Sequence, residues 1–208
     1  MKKQNEKLSK LKAVFDRMAE IPENEWAYFQ SHLDYQVYDK GELLIRAGEN
    51  LKKVYFILEG IVRFFYLTVE GKDFTKHFAL ENDFVGSFSS LALKAPCRFS
   101  VEAQTKTEVL SLPIEIIKEG YMRHPSWERI GRIHAERIAV KKELRECEFL
   151  LDSAEVRYRR FLNEYIDVVD RIPQYHIASY LGITDVSLSR IRKKIGLTKV
   201  NEYNFNPL

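Results

Sequence analysis

The sequence predicts an α+β chain: N-terminal helices, a double-stranded β-helix (jelly roll), one long helix, and a compact helical unit at the C-terminus. Three observations predict it. From about Val37 to Pro113 apolar residues recur with period two, and turn signals separate short runs rich in Val, Ile, Phe and Tyr. From His124 to about Leu151 the period lengthens to a three-four alternation. Residues 174–193 read QYHIASYLGITDVSLSRIRK, a pattern with strict steric requirements.

Residues 5–33 read as helix, with Leu8, Leu11, Val14, Phe15 and Met18 on one stripe. A break at Ile21-Pro22 leads to a further turn or two around Trp26 and Phe29. In the period-two region Asp39-Lys40-Gly41, Ala47-Gly48-Glu49-Asn50, Glu59-Gly60, Glu70-Gly71-Lys72-Asp73 and Glu81-Asn82-Asp83 mark turns. Ile61–Thr68 and Phe74–Leu80 flank the Glu70-Gly71 turn as a hairpin. Many short strands at this spacing fold as a sandwich or jelly roll.

After Pro113 and a short helical stretch, His124-Pro125 opens the long helix. Ile130, Ile133, Arg137, Val140, Leu144, Cys147 and Leu151 fall at a and d spacing, with Arg, Lys and Glu on the flanks. That pattern predicts a seam against a second copy of the helix; packing on its own domain is the alternative. Asp152 or Ser153 caps a following helix that runs to about Val169, where Asp170-Arg171-Ile172-Pro173 ends it. The predicted division is 1–123, 124–151 and 152–208.

The whole-chain balance excludes several classes. Over 208 residues, 45% hydrophobic and 30% charged is a globular composition, not a disordered one. No apolar run approaches the ~20 residues of a membrane helix, and the basic N-terminus lacks the apolar core of a signal peptide. A cytoplasmic protein without membrane partners is expected. Two cysteines, Cys97 and Cys147, give no disulfide scaffold and no metal-ligand spacing, so no cofactor or metal is expected. The net charge of +3 decides little, but residues 186–199 hold five basic residues and no acidic one.

In the C-terminal pattern Ala178 fits the close helix–helix approach and Gly182 the turn that needs a positive φ. Ile177, Leu181, Ile183, Leu188 and Ile191 supply the apolar contacts. Thr184 is placed to cap the second helix, with Asp185 in its first turn. The outward face, Ser187, Ser189, Arg190, Lys193 and Lys194, suits a DNA major groove. Arg190 fits a bidentate contact to guanine, and Thr184, Ser187 and the lysines fit phosphates. An ordinary helical hairpin with a solvated basic face is the competing reading.

This order of parts resembles the CRP/FNR superfamily of bacterial transcription regulators over roughly residues 25–195. The likeness rests on YDKGELLIRAGE with VYFILEG, on DFVGS, on the long helix, and on IASYLGITDVSLSRIRKKI, which is similar to versions common in Bacteroidetes. The resemblance implies a homodimer on a palindromic operator, an effector read by the β-roll, contact with RNA polymerase, and a winged helix-turn-helix. Only twelve residues follow Gly196, so the wing is expected to be truncated or missing. The family's base-reading slots fall on Asp185, Val186 and Arg190, and its phosphate slots on Thr184, Ser187 and Lys193; Gln174 joins the expected DNA-contacting set.

In the β-roll the departures matter more. Cyclic AMP-binding members carry Gly-Glu where this chain has Gly86-Ser87, and an Arg eleven residues after that Gly, where Cys97 stands with Arg98 one place late. A one-residue shift turns a strand side chain to the opposite face. The adenine-reading pair of the family appears as Lys141-Lys142. Cyclic AMP is therefore not expected as effector. The residues expected to meet an effector are His77, Gly86, Ser87, Arg98, Phe99, Arg137 and Lys141. Arg137 matches a family pocket position, yet it could equally pair with Glu136 or Glu143 of a partner helix. A lone strand histidine such as His77 is more often structural than a ligand contact. Cys97 beside Arg98 is a weaker candidate for a redox thiol, as is Cys147 on the seam.

Two other function classes compete with a DNA-binding regulator. An enzyme on a jelly roll lacks a metal triad, a nucleophile motif or paired carboxylates. A β-roll ligand-binding or protein-interaction module leaves the filled helix-turn-helix slots and the acid-free basic stretch unexplained.

Overall fold

The computed structural model describes residues 2–196, with side chains from Lys7 onward. The expected wing and Lys199 lie outside the described residues. Helices α1 (Lys2–Asp16) and α2 (Glu23–Ser31) precede eight strands: β1 (Asp34–Tyr38), β2 (Leu43–Ile45), β3 (Lys53–Glu59), β4 (Val62–Leu67), β5 (Asp73–Ala79), β6 (Phe84–Val85), β7 (Ser100–Ala103) and β8 (Thr107–Pro113). A short α3 (Phe88–Leu93) interrupts them. Then follow α4 (Ile114–Arg123), α5 (Pro125–Leu151), α6 (Ala154–Glu164), α7 (Gln174–Leu181) and α8 (Asp185–Lys194). No helix among the described residues is long and apolar enough to cross a membrane.

The strands form two antiparallel four-stranded sheets, β1-β8-β3-β6 and β2-β7-β4-β5. β3 and β4 meet at Gly60, whose φ of 111° suits glycine, and a Cβ there would lie 2.8 Å from the Thr107 backbone. Between the sheets Ile57, Val62, Phe64, Val85, Val101 and Val109 are packed. Alternate residues of the first sheet point the other way. Phe56, Leu58, Leu110 and Leu112 bury against Leu11 and Phe15 of α1, Phe29 of α2 and Trp127 of α5. β3 is thus covered on both faces, which explains its nearly unbroken apolar run.

One buried carboxylate ties the helices together. Glu25 accepts from Arg123 Nε at 3.2 Å and Nη2 at 3.1 Å, and from Trp127 Nε1 at 3.2 Å. The Arg123 guanidinium holds its carboxyl below the usual range despite burial. The His124 ring caps α5 by accepting from the Ser126 backbone N–H, with Pro125 at the first helical position.

α6 ends at Glu164 rather than near Val169: the chain passes through turns to a short 3-10 segment, Val169–Arg171. Those turns bring Tyr165, Val168, Val169 and Ile172 into a core with Tyr158, Phe161, Ile177 and Leu188. Ile61 and Phe78, from the outer face of the second sheet, complete it. The C-terminal helices therefore share a core with the β-roll. The Thr75 backbone N–H donates to Ser179 Oγ at 2.9 Å, and Arg63 is buried beside this junction in ion pairs with Asp73 and Glu102. His176 is buried there too, its pKa lowered to about 4 by burial and then by the Arg63 guanidinium, against the pull of Asp73.

Two outcomes test this junction. Phe78 is 1% exposed, so Phe78→Ala should cost about 3–5 kcal/mol in urea unfolding. His176 is held neutral in the fold while the unfolded chain binds its proton near 6.5. Its contribution should be present at pH 7 and drain away as pH falls toward 4, and His176→Gln should flatten that stability slope.

Candidate effector cavity and candidate nucleic-acid interface

A cavity of about 620 Å³ lies between the second sheet, α3 and α5 and extends toward α1. Most of its lining is apolar or aromatic, including Phe64, Tyr66, Phe84 and Phe99. Its polar groups are lopsided in charge. Lys76, Arg137, Lys141, Lys142 and Arg145 line it, with Asp83 as the only acidic lining residue. Asp83 accepts from the Leu80 backbone N–H at 2.9 Å, and burial pushes its carboxyl up.

Lys76 owes its position to an irregularity of the ladder. Phe64 pairs with His77, but the next residue of β4, Phe65, pairs with Thr75. Lys76 is the extra residue of a bulge. Strict alternation would send it to the face opposite His77, whereas here Lys76 and His77, adjacent in sequence, both lie against the Phe64 ring. The Lys76 ammonium sits 4.3 Å from the Phe99 ring centroid and 5.6 Å from that of Phe64. Burial, then repulsion from Lys142, lowers its pKa to about 8. The His77 ring stacks on Phe64 at 3.9 Å. It is held neutral, well below the ordinary imidazole range, by burial and by Lys76, Lys141, Arg145 and Lys142.

The basic side chains differ in what already holds them. Lys141 pairs with Glu164 at 2.6 Å, and Arg145 donates to the Tyr180 carbonyl at 2.6 Å while lying over the Tyr180 ring. Lys76, Arg137 and Lys142 form no ion pair among the described residues.

The expected effector residues divide accordingly. His77, Gly86, Ser87, Phe99, Arg137 and Lys141 line the cavity. Ser87 does so with its hydroxyl committed: it caps α3 by accepting from the Ser90 N–H and lies 2.8 Å from Ser90 Oγ. Arg98 is a correction, since it is exposed and outside the lining. Cys97 fills the interior instead, accepting from Ser90 Oγ at 3.4 Å. Lys76 and Arg145 were missed, and Lys142, noted as one of the family's adenine-reading slots, was left out of the expected effector set. Nothing in the local sequence announces the bulge that turns Lys76 inward.

The expected seam of α5 also divides. Ile130 is buried in its own chain's core and Ile133 packs beside it, a correction to their placement at a dimer contact. Arg137 faces the cavity. Beyond it the pattern is uncovered: Val140, Leu144 and Leu151 are 55%, 59% and 79% exposed, and Cys147 is exposed as well.

In the C-terminal unit Gly182 takes φ 69° between α7 and α8. A Cβ there would sit 2.9 Å from the Phe149 ring, so α5 packs against this turn. Thr184 caps α8 by accepting from the Ser187 N–H at 3.2 Å. Ala178 and Leu188 are buried between the helices. Gln174, Thr184, Asp185, Val186, Ser189, Arg190, Lys193 and Lys194 are exposed and Ser187 partly so. Arg190 and Lys193 form no ion pair among the described residues, whereas Lys194 is tied to Glu155 of α6 at 2.7 Å.

Known proteins agree with this geometry. Residues 35–124 match the sequence profile of the cyclic nucleotide-binding domain family. The Global nitrogen regulator of Synechocystis sp. is 29% identical over 91 residues, a stretch that is 43% of this chain and 40% of that protein. The chain thus spans well under half of the curated relative it matches. Among solved structures, FixK2 from Bradyrhizobium japonicum has a TM-score of 0.66 at 21% identity, covering 79% of this chain and 84% of that one. The c-di-GMP responsive global regulator CLP of Xanthomonas campestris has a TM-score of 0.65 at 14% identity, covering 87% and 96%. Residues 35–124 thus match the cyclic nucleotide-binding domain family, within a chain that shares its fold with FixK2 and with the regulator CLP.

Proposed function

We propose that this chain is a homodimeric, sequence-specific DNA-binding transcription regulator whose β-roll reads a small molecule other than cyclic AMP. In this reading residues 1–123 hold the effector, 124–151 pair the protomers and 152–208 bind DNA. The observation that carries it is the α7–Gly182–α8 unit, whose second helix is capped by Thr184 and points Ser187, Arg190 and Lys193 away from the protein. Such a helix presents its first turns to base edges and its basic side chains to phosphates. The regulators that share the fold favour the same reading.

Pairing through α5 follows from what one chain leaves bare. Val140, Leu144, Cys147 and Leu151 recur at heptad spacing on exposed helix surface, and a second α5 has the matching pattern. A two-fold related pair would offer two α8 helices about 34 Å apart to a palindromic site. Against cyclic AMP stand Cys97 at the family's arginine slot, Arg98 in solvent, and the committed hydroxyl of Ser87.

On an operator recovered by selection, Arg190→Ala should cost about 1–3 kcal/mol while sparing non-specific binding. Lys193→Ala should weaken all sequences alike and lower the salt slope. A mobility-shift titration at several salt concentrations reads both, and unchanged operator affinity in Arg190→Ala would displace α8 from the groove. Leu144→Asp would set a charge against its mate across the dimer axis and should yield monomers by light scattering; a surviving dimer moves the interface elsewhere.

A further inference from the structure

The cavity holds more positive charge than the fold itself satisfies. Lys76 is turned inward by a bulge, rests against two aromatic rings and has no acidic partner among the described residues. Lys142 and Arg137 reach the same space from α5, likewise unpaired. A partly desolvated ammonium without a counter-ion is costly to keep. The repulsion from Lys142 and the strain on the Lys76 proton are what an arriving anion would relieve. The remaining walls speak for the rest of the ligand. Beyond the basic cluster they are aromatic and aliphatic, running past Phe64 and Phe99 toward Phe84 and Ile130. A volume of about 620 Å³ is that of a site for a medium-sized organic molecule.

We propose that this cavity binds an amphipathic organic carboxylate, its head group at Lys76 and Lys142 and its apolar body along Phe64, Phe99 and Phe84. A nucleotide fits less well, because sugar hydroxyls need acceptors. Ser87 caps α3 and one Asp83 oxygen takes the Leu80 N–H, which leaves few acceptors, Asn82 and Ser89 among them, in a mostly apolar and aromatic lining. Hydroxyls set against the apolar walls would be left unpaired. A chain of methylenes or an aryl group loses nothing there and gains from leaving water. The ammonium groups suit a compact head, being point charges on flexible stems.

The proposal rests on the reading of this cavity as the effector site of a DNA-binding regulator, and its test keeps the two apart. The full chain, freed of bound lipid, is titrated calorimetrically with dodecanoate below its aggregation concentration, with dodecan-1-ol, and with cyclic AMP. Dodecanoate should bind at one site per chain and dodecan-1-ol about tenfold or more weakly, the charge-assisted contacts being lost. Lys76→Met and Lys142→Met should each weaken dodecanoate by about tenfold and leave the alcohol unchanged. Lys142 is exposed, so its variant serves even if Lys76→Met alters the fold. Affinity for dodecanoate should fall as pH rises above about 8, and Lys76→Met should lose that dependence. Equal affinity for acid and alcohol, unaltered binding in both variants, or tighter binding of cyclic AMP than of dodecanoate would each overturn the proposal. A mobility shift on the same preparation reports the regulator separately. Carboxylate binding without DNA binding removes the regulator and leaves the site standing; DNA binding with no preference for charge does the reverse.

Discussion

The architecture depends on β5 being used on both faces. Its inward residues, His77 and Ala79, belong to the interior of the roll, while Phe78 points outward into the core formed by α6, α7 and α8. Thr75 adds a backbone hydrogen bond to Ser179 of α7. A strand in this position has no spare side, so a change in what occupies the cavity is felt by residues adjacent in sequence to those that hold the C-terminal unit. Phe78 is ringed by Phe161, Tyr165 and Tyr180 at 5.8 to 6.2 Å between centroids. An aromatic cluster this dense moves as a block or not at all.

Electrostatics sets the second constraint. The buried charges outside the cavity are satisfied in place: Glu25 by Arg123 and Trp127, Arg63 by Asp73 and Glu102. In the cavity the pattern reverses, with five basic lining residues against one acid. The two histidines of the roll and its junction, His77 and His176, remain neutral because burial and neighbouring cations both disfavour their charged forms. Of the five basic lining residues, Lys141 is paired with Glu164 and Arg145 with the Tyr180 carbonyl, so the unpaired cation that is also largely buried is Lys76.

How much of this was legible in the sequence depends on the physics behind each signal. The α7–Gly182–α8 pair was readable because steric rules tie residue type to position: a positive φ at Gly182, close approach at Ala178, a cap at Thr184. The strands were readable from period two and from turns such as Gly60. The seam of α5 was only half readable. A heptad pattern reports that a stripe is covered and not by what, so Ile130 and Ile133 turned out to serve their own chain while Val140, Leu144 and Leu151 stay bare. Lys76 was invisible, because a bulge shifts parity without leaving a mark in hydrophobicity. Arg98, one residue out of step with the family's arginine slot, is exposed, as that shift implied and its place in the expected effector set did not. Lys194 looked free for phosphate on its own helix and proved to be shared with Glu155 of α6.

Arg145 joins the two halves of the molecule. Its side chain lines the cavity, its guanidinium donates to the carbonyl of Tyr180 on α7, and it lies 4.7 Å from the Phe149 ring, which in turn packs at Gly182. Arg145 lines the same cavity as Lys76 and Lys142, so the anion proposed above would be placed to compete with the Tyr180 carbonyl for its guanidinium. The α7–α8 unit is therefore fastened to α5 at a residue that also lines the cavity. Linkage makes any such coupling reciprocal: a ligand that loosens the Arg145–Tyr180 contact is itself bound more or less tightly by whatever fixes α8, DNA in the proposed function. The size of the effect is bounded by the difference in ligand affinity between the two arrangements, whatever the total affinity. Strong binding alone would shift nothing. What matters is that Lys76, carried on the strand that supports α7, and Arg145, carried on the helix that clamps it, line the same cavity.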